Sequence, residues 1–199
     1  MGAESLSRLT RQILILLGIW LVFSLVVSVS GIFERVTAIV LPIAVWSPVF
    51  AIMLVFWQSA DFRQWIYQAD LRYLILYHLT RFVGIWFLVL YKRGELPYAF
   101  AVPGGWGDIA VAVSALVVAF LFVPVRSRLG WWVVVAWNTF GLIDILMVVS
   151  TAARLALADL NSMAALIRFP LSLLPLFIVP LIIASHLIIY ASLWRQRTA

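Results

Sequence analysis

Residues 13–31 read "ILILLGIWLVFSLVVSVSG", nineteen positions without a charge and without alternation of apolar and polar side chains. At about 1.5 Å per residue, roughly twenty such residues cross a hydrocarbon core of about 30 Å as a helix. Transmembrane β-strands alternate over about ten positions, and this run does not. Comparable runs recur along the 199 residues, and 65% of the chain is hydrophobic against 11% charged. A soluble domain carries about 45–50% apolar and about 25% charged residues. The expected fold is all-α: one polytopic transmembrane helix bundle over 1–199, with about six spans near 12–31, 38–57, 71–91, 108–124, 131–150 and 171–193.

The basic residues fall between the runs. Arg8, Arg11, Arg63, Arg72, Arg126, Arg128, Arg195 and Arg197 lie on the face that holds both termini, and Arg35, Lys92, Arg93, Arg154 and Arg168 on the other. This bias predicts cytoplasmic termini. Trp57, Trp65, Trp131, Trp132 and Trp194 fall near the same boundary, as an interfacial aromatic belt would. The net charge of +6 is thus a topology signal and not a nucleic-acid footprint. The length of the first run, with no small-residue cleavage pattern after it, favours a retained span over a signal peptide. "MGAESL" has Gly2 but Leu6 where myristoylation needs Ser or Thr, so no lipidation is expected.

Between the fifth and sixth spans, Leu160, Met163, Ala164 and Ile167 share one helical face, while Arg154, Asn161 and Arg168 lie on another. The pattern predicts a short helix along the membrane surface or packed across the bundle. The connectors "QSADFRQWIYQAD" and "VRSRLG" read as short and polar.

A charge near the bilayer centre costs about 2.5–3.5 kcal/mol on insertion scales, so the few polar residues inside spans are informative. They are His78, Arg81, Asp108, Asn138, Asp144 and His186. His78 and Arg81 are three apart and share a face, which Gly84 continues. Asn138, Gly141 and Asp144 repeat the three-residue step on the fifth span. A permanently charged guanidinium needs an anion. Arg81 therefore pairs with Asp144 or Asp108, either to join two helices or to build a polar pocket from Arg81, Asp108, Asn138 and Asp144. Such a pocket would open toward the outer leaflet, under a cap formed by residues 96–107, and bind a small polar or lipid ligand or relay protons.

His78 and His186 each sit about seven residues inside the same membrane face, roughly 10 Å deep. Matched depth suits the axial ligands of haem b or a related tetrapyrrole, an alternative in which the chain is a pigment-binding subunit. In the last span Pro175 and Pro180 each leave a carbonyl one turn earlier without its amide, which must find another partner.

Several chemistries drop out. Cysteine is absent, which removes disulfides, thiolate metal sites and thiol catalysis. The single lysine, Lys92, lies at a membrane boundary, so no retinal Schiff base is expected. The histidines are too far apart in sequence for a zinc-protease motif, and no phosphate-binding loop or nucleophile elbow occurs. A site from His186, Asp108 and Asp144 stays open, though their depths differ, as does an enzyme acting on lipid, for which the sequence marks no nucleophile.

The stretches "RFVGIWFLVLYKRGELPYAFAVPGGWGDIAVA", "WNTFGLID" and "FPLSLLPLFIVPLIIASHL" resemble a family of uncharacterised bacterial multi-pass integral membrane proteins. The resemblance covers the C-terminal two-thirds of the chain. It rests on a G-x-L-P…P-x-G-x-G-D connector, an N-x-x-G-x-x-D step and a proline-rich last span ending in histidine. It implies a bacterial inner-membrane location and supplies no mechanism. The expected partner is the lipid bilayer, with a homo-oligomer or a larger membrane complex, in which the chain would be an accessory subunit, as a further option. In "LPYAFAVPGGWGD" the prolines and glycines read as a stiff loop that delivers Asp108 to the first turn of a helix, where a carboxylate caps exposed amides.

Overall fold

The computed structural model describes residues 3–198, without the side chains of residues 3, 5 and 196–198. Gly2, considered for lipidation, and the Arg197 side chain, counted in the charge balance, lie outside the described residues. Among those residues all regular structure is helical, and six helical segments are long and apolar enough to span a membrane.

α1 (Ala3–Val29) is the first span, and α2 (Val40–Gln58) the second. The third is built from α4 (Leu71–Tyr77), a 3₁₀ segment (His78–Val83) and α5 (Gly84–Lys92). α6 (Tyr98–Leu121) and α7 (Arg128–Ala158) are the fourth and fifth. A π turn (Leu174–Ile178) leads into α9 (Val179–Thr198), the sixth.

The connectors hold more structure than their polarity suggests. "QSADFRQWIYQAD" contains α3 (Ala60–Gln68), whose first turn is capped where the Phe62 amide donates to Ser59 Oγ at 3.1 Å. Trp65 of this helix donates to Thr10 on α1 at 2.8 Å. Between the fifth and sixth spans a 3₁₀ turn (Leu160–Met163) and α8 (Ala164–Ile167) form the expected extra element. Met163 and Ile167 are buried, Leu160 and Ala164 half-buried, and Arg154, Asn161 and Arg168 exposed, as the face analysis requires.

One expectation is overturned. Residues 98–107 are not a loop: the fourth span starts at Tyr98, ten residues before the expected 108. Pro97 precedes the first turn, where its fixed φ suits entry into a helix. Pro103 and the glycines stay helical because no water in the hydrocarbon region competes for the backbone bonds. The true connector is residues 93–97. It opens at Gly94, with φ of 74°, where the Glu95 amide closes α5 on Leu90 O at 2.9 Å. Asp108 consequently lies in the third turn of α6, inside the bundle, and caps nothing.

The freed carbonyl at Pro180 does find a partner. Leu176 O accepts from Trp20 Nε1 at 3.0 Å and Ser24 Oγ at 3.3 Å, both on α1. Ser28 and Ser172 share a short hydrogen bond one turn further along α1. α1 is otherwise peripheral: 11% of its most apolar stretch is buried, against 56% for the sixth span.

Candidate functional site

The third span sets the register of the site. A 3₁₀ helix has three residues per turn, so residues three apart eclipse. His78, Arg81 and Gly84 therefore stack on one line, facing α6, α7 and α9, and all three are buried. Arg81 ends in the middle of the bundle at 1% exposure.

Each nitrogen of its guanidinium is used. Nε donates to Asp108 Oδ1 at 2.6 Å, Nη1 donates to the Gly141 carbonyl at 2.9 Å, and Nη2 is paired with Asp144 Oδ2. Asp108 and Asp144 are 3% and 5% exposed, so two carboxylates and one guanidinium share a site almost free of water. The two pairings weighed from the sequence form together. Three of the five N–H donors of Arg81, one on each nitrogen, are thus engaged inside the bundle.

Glycines let these groups meet. A Cβ on Gly84 would lie 2.5 Å from Gly105 O, so α5 and α6 touch through backbone. A Cβ on Gly107 would collide with the Asp144 carboxylate, and one on Gly141 would sit 2.7 Å from the His186 ring. "PGGWGD" is thus a helix-packing stripe that seats Asp144 and the third span against α6.

The histidines join the same core. Their rings are in contact, with centroids 4.2 Å apart, and Trp137 stands edge-on to His78 at 5.1 Å. A tetrapyrrole held between them would have to pass where the rings now touch. Asn138 clamps His186: Nδ2 donates to the His186 carbonyl at 3.0 Å, so Oδ1, at 2.8 Å, accepts from Nδ1–H. Ser185 donates to Ile182 O at 2.8 Å, so its oxygen accepts from His78 Nε2–H at 3.1 Å. Neutral rings then carry bare lone pairs on His78 Nδ1 and His186 Nε2, and neither atom has a hydrogen-bond partner although both rings are fully buried.

All six in-span polar residues picked out in the sequence thus fall into one buried cluster, in which Arg81, Asp108, Asn138 and Asp144 and the histidine pair lie together. Ser185, the orienting partner of His78, carried no signal beyond adjacency to His186. No group of three or more His, Cys, Asp or Glu suited to a metal ion occurs among the described residues.

Residues 38–194 match a family described as Domain of unknown function (DUF8737). The match includes the whole cluster and stops short of α1. No curated protein and no solved structure matches the chain.

Proposed function

The chain belongs to the DUF8737 family, and with no activity carried by that membership we propose a function from the cluster itself: the protein is a proton-relaying integral membrane protein. We place it in a bacterial inner membrane, with the lipid bilayer as its partner and both termini in the cytoplasm, on the resemblance and the arginine bias given above.

The observation that carries the reading is the pair of unpartnered ring nitrogens on touching, fully buried histidines, in the same cluster as two carboxylates that share one guanidinium. A purely structural ion pair needs neither nitrogen. A proton arriving on His78 or His186 finds an acceptor lone pair already desolvated, with no bond to break. Gly141 links the two halves, since its carbonyl receives Arg81 while the His186 ring packs against its Cα. Arg81 acts in this reading as the standing counter-ion of the acids and not as an anion anchor.

In proteoliposomes holding a trapped pH dye, an imposed potassium diffusion potential is expected to drive proton uptake through the wild type. A His78→Phe/His186→Phe variant should not support it. Wild-type flux no greater than in empty liposomes, or undiminished flux in the double variant, would overturn the reading. In this reading the histidines are relay groups and not axial ligands, so the purified protein is expected to show no Soret band; a Soret band would favour the tetrapyrrole alternative.

A further inference from the structure

Every member of the polar cluster is buried, so a proton relay through it needs a path from water. On the side of the bundle toward residues 93–97, four spans repeat one order. α7 places Val148 one turn beyond Asp144, about 6 Å along its axis, and α6 places Phe100 about two turns before Asp108. Phe87 follows Arg81 on the third span, and Val179 precedes His186 on the sixth. All four of these residues line one chamber of about 60 Å³, and α2 adds Leu41 and Val45 to its walls.

The chamber lies close to the acids. Gly104 is one turn before Asp108, and a Cβ there would stand 3.0 Å from Val148 Cγ2. α6 and α7 therefore meet at the chamber wall, one turn from both carboxylates. The Phe87 and Phe100 rings, with centroids 5.1 Å apart, form another part of the wall.

Size and chemistry give this space two states. One water needs about 10–15 Å³ of such volume, so about four can enter together. The side chains of the walls are apolar throughout and offer them no hydrogen bond, so the resting chamber is dry. A hydrophobic constriction of this kind conducts only while water fills it.

We propose that the chamber is the proton entrance of the cluster: a transient chain of water molecules fills it and carries protons between the membrane face at residues 93–97 and the Asp108–Asp144 pair. Each water takes up one proton and hands on another, so a carboxylate gains or loses one proton per transfer and no other reactant is consumed. The inference rests on the proton-relay reading and adds to it the step that opens and closes the relay.

The test uses the full chain in the proteoliposome flux assay. Val45→Thr and Val148→Thr each keep the branched shape and offer the chamber one hydroxyl. Proton flux is expected to rise by about fivefold in each, the weight that one added hydrogen bond gives the water-filled state. Val45 belongs to α2, which supplies no member of the cluster, so its effect reports on the chamber. Ala152→Leu occupies the space and should remove most of the flux. The threonine variants preserve size and still report if Ala152→Leu does not fold. Flux in both threonine variants equal to that of a conducting wild type, or wild-type flux in a folded Ala152→Leu protein, would refute the entrance and leave the relay standing. A wild type that conducts no more than empty liposomes removes the relay and the entrance with it.

Discussion

Arg81 decides whether the bundle assembles. Removing it as Arg81→Met leaves Asp108 and Asp144 buried without a counter-charge, a loss on the order of 3–5 kcal/mol for a broken buried pair. The expected outcome is aggregated or detergent-labile protein by size-exclusion chromatography. Adding Asp108→Asn and Asp144→Asn to that variant removes the uncompensated charge and should restore a monodisperse peak. Recovery without proton flux would separate the cluster's structural role from its chemical one. The glycines divide in a way the sequence conceals. Gly84→Ala meets backbone that cannot move aside, and overpacking of this kind costs about 1–3 kcal/mol. Gly18→Ala meets nothing within 4 Å and should leave the unfolding midpoint nearly unchanged. Equal thermal shifts for the two would refute the close approach of α5 and α6.

At the scale of the elements, the sixth span and α1 depend on one another. Pro180 deprives Leu176 of its helical donor, and α1 supplies two replacements through Trp20 and Ser24. Trp20→Phe/Ser24→Ala is expected to destabilise the protein by about 1 kcal/mol or more, the cost of leaving a half-buried carbonyl unbonded. Adding Pro180→Ala, which restores an amide one turn on, should recover much of that loss in thermal unfolding. No recovery would mean that α1 acts through packing alone. The arrangement also gives a physical reason why α1 can lie outside the matched family region and still be needed by this chain. The opposite ends of α4 and α6 show a simpler device. Arg72 Nε donates to Ala119 O and Val123 O at 3.3 and 3.1 Å, a cation at the carbonyl end of α6.

For the whole molecule the orientation is directly measurable, because the chain has no cysteine of its own. Single Glu4→Cys and Glu95→Cys variants should be labelled by an impermeant maleimide from the cytoplasmic and the outer face respectively. The reverse pattern would invert the assignment. Which parts of this architecture could be seen without coordinates follows from the range of the forces involved. Length, apolar runs and charge placement determined the fold class, the six spans and the inward face of the 160–167 segment, since insertion of a helix depends on its own residues. The scarcity of polar residues in those runs also marked all six members of the cluster, because each one must be compensated wherever it sits. Asp108 shows the limit. Glycine and proline in "LPYAFAVPGGWGD" carry the same local preference in a loop as in a packed membrane helix, and only contact with Gly84, Leu88 and Asp144 selects the helix. Likewise Arg81 had two eligible carboxylates, and the two histidines no visible contact with each other. Tertiary packing decided both, by bringing four spans close enough for one guanidinium to reach both acids and for the two rings to touch.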